Sequence, residues 1–257
     1  MMPCERTPVP QISVCMATYN GERFLYSQLE SISAQIKDTD EIVISDDRST
    51  DGTIDIIREF PAPNIRLLRK KGLRGISANF NNALSHAEGR FIFLADQDDI
   101  WNPDKVEQVM NELHSHVLVL SDCEVIDASG ETIAPSLFDI RGIGYTGFWR
   151  NVYKNSFTGC AMAFQHSLLE TALPVPSNIP MYDWWLGLIS QRLGKVAVIN
   201  KPLVKYRVHG ENASPTGTGS NYSPVEKLAF RLRMLASIFS RLYLKRSPIT
   251  RRENRYR

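Results

Sequence analysis

Long apolar runs are absent from this sequence. A membrane-spanning helix needs about 20 consecutive apolar residues, and no stretch approaches that length. Residues 1–6 also lack the apolar core of a secretory leader, so we expect the protein to stay in the cytoplasm. The four cysteines show no paired spacing, so we expect reduced thiols, with Cys15 and Cys160 in the core, rather than a disulfide framework.

Internal repeats and nucleic-acid-binding motifs are also missing. The fractions of hydrophobic and charged residues, 43% and 23%, are typical of a soluble globular protein, and 257 residues suit one large domain or one domain with an appendage. The net charge of +2 is unevenly distributed, because residues 224–257 contain ten basic and two acidic residues while the other 223 contain 20 basic and 26 acidic. An acidic body with a basic tail indicates that the tail meets an anionic partner.

Residues 90–101, Arg-Phe-Ile-Phe-Leu-Ala-Asp-Gln-Asp-Asp-Ile-Trp, combine a buried-strand pattern with three carboxylates. Asp96 and Asp98 lie two residues apart, so in an extended segment their side chains point the same way. Two carboxylates facing one point repel each other unless a cation lies between them, and Mg²⁺ or Mn²⁺ prefers such oxygen ligands. The alternative is an acidic loop that caps the following helix.

Strand and helix patterns alternate through the first hundred residues, which predicts a parallel sheet with helices on both faces. Polar loops begin at Thr18, Asp46 and Asp96, at the carboxyl ends of predicted strands, where ligands bind in such sheets. The predicted strands are 12–17, 41–45, 65–68 and 90–95, and the predicted helices are 22–34, 54–60 and 75–87.

The second half is less regular. We expect a strand at 117–122, a hairpin turn at 127–130, a strand at 157–164, a helix from 181 to 192 and strands at 196–199 and 203–208. Residues 142–147 are rich in glycine and are expected to be mobile, and residues 211–223 have the composition of a flexible link.

Together these segments resemble the inverting glycosyltransferases of family 2, from about residue 12 to residue 212. The resemblance implies the GT-A fold, a mixed α/β sheet flanked by helices. The run Leu-Ala-Asp-Gln-Asp-Asp-Ile-Trp and the later Tyr-Asp-Trp-Trp are similar to those of the rhamnosyltransferase-like branch, which builds bacterial surface polysaccharides from nucleotide diphosphate sugars.

The resemblance also assigns roles to residues on the donor side. It implies that a first loop wraps the base and ribose, that Asp47 accepts a hydrogen bond from a pyrimidine base, and that Mg²⁺ or Mn²⁺ binds to Asp96, Asp98 and His209. Asp99 is expected to support the metal ligands or to cap the next helix. The remaining residues expected at the nucleotide sugar are Thr18, Tyr19, Asn20, Glu22, Arg74, Asn79 and Gln97, with Asp96 near the ribose.

On the acceptor side we expect Asp183 to be the catalytic base. Inversion needs one carboxylate that takes the proton from the attacking hydroxyl, and the same residue is a good helix N-cap. Trp184 and Trp185 are expected to desolvate this carboxylate and to form a wall on which a sugar stacks. Thr158 and Gly159 are expected on the floor between donor and acceptor.

The predicted organisation is a catalytic domain at residues 1–212, a flexible link at 213–223 and a basic amphipathic tail at 224–257. The domain divides into a nucleotide-binding half at about 12–100 and an acceptor half at 101–212. In the tail, a helix either packs on the body or lies on an anionic membrane surface. Its expected apolar face is Leu228, Leu232, Leu235, Ile238, Phe239 and Leu242, with Arg233, Arg241 and Lys245 away from it.

The sequence thus predicts a metal-dependent inverting glycosyltransferase, peripheral on the inner face of the membrane, with a glycan or lipid-linked glycan as acceptor. The Gln-x-x-Arg-Trp motif of processive synthases is absent, so one sugar is expected to be transferred per encounter. Two other hypotheses stay open at this point, a nucleotidyltransferase and a non-catalytic nucleotide-binding partner protein.

Overall fold

The computed structural model describes residues 10–69, 72, 74–142, 147–210 and 222–244. The strands in this part of the chain are β1 Ile12–Thr18, β2 Glu41–Asp46, β3 Ile65–Arg69, β4 Phe91–Asp96, β5 Ile100–Trp101, β6 Leu118–Ile126, β7 Thr132–Ala134, β8 Met162–Gln165 and β9 Val196–Arg207. The helices are α1 Leu25–Ser33, α2 Thr53–Glu59, α3 Ile76–Leu84, α4 Lys105–Leu113, α5 Leu137–Arg141, α6 Phe148–Tyr153, α7 Ser167–Ala172, α8 Tyr182–Leu193 and α9 Pro224–Phe239.

One mixed sheet contains all of these strands, in the order β3-β2-β1-β4-β8-β6-β9-β5 with β7 paired to β6. β1 to β4 are mutually parallel, and β8 lies antiparallel between β4 and β6. The register pairs Thr18 with Asp46 and Ala17 with Asp96, so the loops that follow β1, β2 and β4 begin side by side. This register positions the candidate site.

The core lies on both faces of the central strands. β1, β2 and β4 are buried almost throughout, as expected for continuous apolar runs in a parallel sheet. α1 contributes Leu25, Leu29 and Ile32, which recur at helical spacing and are fully buried.

The predicted fold class, a mixed α/β sheet flanked by helices with a C-terminal helix, is confirmed. Two local predictions were wrong. The strand expected at 157–164 begins only at Met162, because Gly159–Ala161 forms a 3₁₀ turn. The strands expected at 196–199 and 203–208 form one strand, β9, whose pairing with β6 is irregular opposite Ser121 and Asp122.

The C-terminal helix packs on the body, and the face it buries matches the predicted one only in part, because Leu235, Ile238 and Leu242 contact the core. Met234 and Ile238 are its buried residues, whereas Leu228, Leu232 and Phe239 are more than half exposed. Arg241, expected to point away from the body, donates hydrogen bonds to the carbonyl oxygens of Thr171, Leu173 and Pro174 at the end of α7. A cation is favourable at a helix C-terminus, so these bonds hold the segment just after α9 against the end of α7.

Several predicted features lie outside the described residues. These are the N-terminal segment 1–9, most of the glycine-rich segment at 143–146, the link at 211–221 and the end of the tail at 245–257. Within the described part of the chain, no helix is long and apolar enough to cross a bilayer.

The packing of α9 gives a matched test. Ile238→Ala should lower the free energy of unfolding by about 2–4 kcal/mol, because it opens a cavity beneath α9. Leu232→Ala, on the exposed side of the same helix, should cost less than about 0.5 kcal/mol. Urea denaturation of both variants measures the difference, and equal losses would show that α9 does not pack as described.

Candidate functional site

The site lies where the loops after β1, β2 and β4 meet. Thr18 is buried, and its Oγ1 donates to Asp46 Oδ2 at 3.1 Å. Asn79, on α3, donates from Nδ2 to the Thr18 carbonyl oxygen at 3.1 Å and accepts from the Ser45 hydroxyl at 2.5 Å. Asn79, predicted at the nucleotide, therefore bridges the ends of β1 and β2.

Gln97 ties the acidic loop to the first loop. Its Oε1 accepts from the Tyr19 backbone N–H at 2.8 Å, and its Nε2 donates to the Tyr19 carbonyl oxygen at 3.0 Å. Gly21 makes this close approach possible, because a Cβ there would lie 2.5 Å from Gln97 Oε1. The Tyr19 ring is half exposed, with the Arg74 guanidinium 5.9 Å from its centroid, and this pair borders the open side of the loop.

Asn20 and Glu22 connect the first loop to the second. Asn20 has a positive φ of 48°, and its Oδ1 accepts from the Thr50 N–H at 2.9 Å. Glu22 Oε2 accepts from the Gly52 N–H at 2.8 Å. Both side chains were predicted to face the nucleotide, and the contacts described here hold the two loops together.

Asp47 is the first residue after β2. It is buried, and its Oδ2 accepts from the backbone N–H of Gly75 at 2.7 Å, just before α3. That bond links the second loop to the segment that carries Arg74. Thr18, Tyr19, Asp47 and Arg74 are thus brought to one edge, as the sequence predicted.

The acidic loop continues into a buried cluster. Ligand atoms of Asp96, Asp99 and Cys160 all lie within 4.8 Å of one another. Burial and the neighbouring carboxylates Asp99, Asp98 and Asp183 raise the pKa of Asp96 well above its ordinary value, and burial with Asp98 raises the pKa of Asp99 to about 7. Asp99 is fully buried. It was predicted either to support the metal ligands or to cap the next helix, and the capping prediction was wrong because the N-cap of α4 is Asp104.

Lys105 is the cation beneath this cluster. It is fully buried, its Nζ donates to the Cys160 carbonyl oxygen at 2.8 Å, and it lies 4.1 Å from the centroid of the Trp101 ring. Burial lowers its pKa to about 8, and the charges of Asp99 and Asp96 oppose that shift. Sequence reasoning missed Lys105, because a lysine in a polar first helical turn carries no signal of burial.

Two α1 side chains hold the acidic loop from the other side. Gln28 donates to the Asp96 carbonyl oxygen at 2.8 Å, and Ser31 accepts from the Trp101 N–H at 3.0 Å. Sequence reasoning missed both. They occur one turn apart on α1, a spacing that puts them on one helix face.

The end of β9 reaches the same loop. His209 Nε2 lies 2.9 Å from Asp98 Oδ2, and these two side chains retain 10% and 15% exposure. Arg207 donates from its backbone N–H to Asp99 Oδ1 at 2.9 Å and from Nε to the Asp98 carbonyl oxygen at 2.8 Å. The structure therefore brings the predicted ligands Asp98 and His209 together, whereas Asp96, the third predicted ligand, is grouped with Asp99 and Cys160.

Asp183 lies in the first turn of α8. The helix begins at Tyr182 with Met181 before it, so Asp183 is not the N-cap that was predicted. Burial raises its pKa to about 6, while the backbone N–H groups of Trp184 and Gly159 and the charge of Arg141 oppose the rise. The Gly159 N–H that bonds to Asp183 lies next to Cys160 of the acidic cluster, and the charge of Asp183 contributes to the raised pKa of Asp96.

Thr158 and Gly159 lie beside this carboxylate. Arg141, at the end of α5, donates to Thr158 Oγ1 at 3.1 Å. A Cβ at Gly159 would lie 2.1 Å from the Tyr182 hydroxyl, so only glycine allows this contact. The two residues predicted for the acceptor floor therefore lie beside Asp183, with Arg141 as an additional half-buried cation.

The predicted sugar-stacking wall is wrong. The Trp185 ring is fully buried and donates to the Ala172 carbonyl oxygen at 2.9 Å. The Trp184 ring is 7% exposed and donates to the Asn151 carbonyl oxygen at 2.7 Å. Both rings pack α8 against its neighbours, and burial of this helix explains why Asp183 is desolvated.

The donor set of the acidic loop fits a divalent cation. Carboxylate oxygens suit Mg²⁺ and Mn²⁺, and an imidazole also suits Mn²⁺ better than Mg²⁺. Apart from the Cys160 thiol, Asp99 Oδ2 has no hydrogen-bond donor among the described residues, and the carboxylates of the cluster disfavour each other's charge. The Cys123 contact and burial raise the pKa of Cys160, so this thiol stays protonated and is a poor ligand.

Known proteins are similar to this chain in sequence and in fold. A family model described as glycosyl transferase family 2 matches residues 13–171. The UDP-Glc:alpha-D-GlcNAc-diphosphoundecaprenol beta-1,3-glucosyltransferase WfgD of Escherichia coli is 27% identical over 213 residues, which cover 79% of this chain and 79% of WfgD. In two further curated relatives, 37% and 29% identical, the aligned segments cover 40% and 66% of the relative.

Solved structures of other proteins have a fold similar to that of this chain. Staphylococcus aureus TarS 1-349 in complex with UDP-GlcNAc matches with a TM-score of 0.68 and 21% identity, over 90% of this chain and 66% of that one. Glucosyl-3-phosphoglycerate synthase from Mycobacterium tuberculosis, in complex with Mn²⁺, UDP and phosphoglyceric acid, matches with a TM-score of 0.56 and 18% identity, over 90% and 78%. The mixed sheet is therefore that of the GT-A fold, and the chain belongs to glycosyl transferase family 2 and is a glycosyltransferase.

Proposed function

We propose that this glycosyltransferase moves one sugar from a nucleotide diphosphate sugar to a hydroxyl of a surface-polysaccharide or lipid-linked glycan acceptor, with inversion. The observation that carries the proposal is the buried carboxylate of Asp183, which is held by the Gly159 N–H next to Cys160 of the acidic cluster. An inverting transfer needs one base on the acceptor side and charge stabilisation on the donor side.

On the donor side, the opening bordered by Tyr19 and Arg74 receives the base and ribose, and Asp47 accepts a hydrogen bond from the base. Tyr19 supplies a half-exposed aromatic face and Arg74 a cation. This assigns donor binding to residues 12–100 and acceptor binding to residues 101–212, within one catalytic domain at residues 1–212.

Asp96, Asp98 and His209 would hold Mg²⁺ or Mn²⁺, with Asp99 behind them. When bound, the cation supplies charge neutralisation at the diphosphate as it leaves. Mn²⁺ in the structure of the mycobacterial synthase supports a divalent metal here. Asp98 and His209 form a partly exposed edge of the cluster, where a bound cation would be accessible to a diphosphate.

On the acceptor side, Asp183 takes the proton from the attacking hydroxyl. Its raised pKa places it near the pH at which a base is both ionised and able to accept a proton. Thr158 and Gly159 line the floor, and the charge of Arg141 favours the ionised form.

The identities of the donor sugar and of the acceptor are inferred from the motifs and from the relatives. The motifs resemble the rhamnosyltransferase-like branch, which favours dTDP-rhamnose, whereas TarS was solved with UDP-GlcNAc. WfgD is described as acting on a diphosphoundecaprenol-linked sugar, which supports a lipid-linked acceptor and a peripheral location on the inner face of the membrane. Turnover with a panel of UDP- and dTDP-sugars identifies the donor. If the protein neither hydrolyses nor transfers any of these sugars, the proposal is contradicted.

The base is tested by Asp183→Asn. The amide cannot take a proton, so kcat should fall by about 10²–10⁴ while donor affinity changes little. The parent rate should fall as the pH drops through about 6, the pKa of Asp183, and the residual rate of the variant should lose that dependence. The measurement is a pH–rate profile with a donor-binding titration.

Stability provides the control for this variant. The folded-state pKa of Asp183 lies above the value of 3.8 expected in the unfolded chain, so its charge costs stability as the pH rises from about 4 to about 6. Asp183→Asn should therefore be at least as stable as the parent at pH 7. Asp139→Asn, an exposed acid on α5, is the matched substitution and should keep full activity. Parent-level transfer by the Asp183 variant would place the base elsewhere.

Metal binding is tested without turnover. Mn²⁺ should raise the melting temperature more at pH 7.5 than at pH 5, because protons compete for Asp96 and Asp99, whose pKa values are raised. Asp98→Asn should remove most of the shift, and Asp55→Asn, an exposed acid on α2, should leave it intact. Excess chelator should abolish transfer, and full activity in chelator would refute the metal site.

A further inference from the structure

Two helices at the protein surface expose large apolar side chains. On α6, Trp149 is 74% exposed and Tyr153 is 71% exposed. α9 and the turn after it expose a stripe at helical spacing on the side away from Met234 and Ile238. We name the whole set the α6–α9 face, and its residues are Trp149, Tyr153, Val225, Leu228, Leu232, Phe239 and Tyr243.

The two helices form one continuous surface. Arg231 on α9 donates two hydrogen bonds to the Tyr153 carbonyl oxygen, at 2.7 and 3.2 Å, and its guanidinium lies 4.8 Å from the centroid of the Tyr153 ring. At the other end, Arg192 lies 3.5 Å from the Tyr243 hydroxyl and 5.4 Å from the Phe148 ring, which contacts Trp149. Arginines thus alternate with aromatic rings across the surface.

The charge of this surface is strongly positive. The two described segments that contain it, residues 147–154 and 222–244, have one acidic residue, Glu226, and five basic residues besides Arg241, which is bound at the end of α7. A second copy of the chain docked here would bring two positive surfaces together, which is unfavourable. An anionic phospholipid surface accommodates both parts, because apolar side chains enter the acyl boundary while arginines meet the headgroups. Tryptophan and tyrosine favour that boundary.

We infer that the α6–α9 face is a binding surface for anionic phospholipid bilayers, formed by exposed aromatic residues of the catalytic domain together with the C-terminal helix. The inference extends the membrane contact from the tail to α6. Trp184, next to Asp183, donates to the Asn151 carbonyl oxygen of α6 at 2.7 Å. The membrane surface therefore lies one helix away from the proposed base, where a lipid-linked acceptor would arrive.

Trp149 makes the inference directly measurable. Of the four tryptophans, Trp101, Trp184 and Trp185 are buried, so Trp149 dominates the solvent-accessible fluorescence. Phosphatidylglycerol-containing vesicles should shift the emission to the blue and protect it from iodide quenching. Pure phosphatidylcholine vesicles should do so weakly, and high salt should reduce the effect. Trp149→Phe should remove the signal while sedimentation with vesicles persists.

Substitutions on the face test its residues. The double variant Leu228→Gln/Leu232→Gln should lower vesicle affinity about tenfold or more, since each leucine loses apolar burial worth more than about 1 kcal/mol. Trp149→Ser/Tyr153→Ser should do the same, which separates α6 from the tail. Ile133→Gln, an equally exposed apolar residue on β7, is the matched control and should bind as the parent does.

Three results would overturn the inference. The first is that the parent protein does not bind vesicles. The second is that the face variants bind vesicles as the parent does. The third is that analytical ultracentrifugation shows self-association of the parent that the leucine variant loses. The measurement needs no donor or turnover, so the inactive Asp183→Asn variant should bind vesicles as the parent does. The face variants should retain transfer to a water-soluble acceptor, so failure of the proposed function and failure of this surface are distinguishable.

Discussion

The structure depends on the burial of several carboxylates at one point. Asp96, Asp99 and Asp183 share a region in which the neighbouring carboxylates raise the pKa of Asp96, and Lys105 and Arg207 are buried cations beside it. Burying several ionised carboxylates together destabilises the folded protein unless a cation neutralises them or some of them stay protonated. In the proposed function a diphosphate leaves and a hydroxyl attacks at this point, where preorganised charge is useful.

The polar side chains around this point mainly hold loops in place. Gln97, Asn20 and Glu22 were expected at the donor, and each makes hydrogen bonds to the backbone of a neighbouring loop. Gln28 and Ser31 do the same from α1. The opening is therefore fixed before a donor arrives, which lowers the entropic cost of binding.

The sequence predicted the first half of the fold well because its signals are local. Apolar runs ending in polar loops marked β1, β2 and β4, and the parallel register then brought Thr18, Asp47 and Asp96 to one edge. It failed where tertiary contacts decide. Burial of Lys105 depends on the Cys160 carbonyl, 55 residues away in sequence, and the burial of Trp185 depends on α7. The face that α9 buries was predicted only in part, because apolar residues occur on both sides of that helix.

β5 has only two residues, yet it pairs with β9 and so connects the acidic loop to the strand that ends near His209. The contacts of Arg207 with Asp98 and Asp99 complete that connection. Groups in one hydrogen-bonded network are energetically coupled, so substitutions in residues 96–101 and in residues 204–209 will not have additive effects. The two segments are therefore expected to be exchangeable only together. Grafting the acidic motif from a relative requires residues equivalent to both segments to be taken from that same relative.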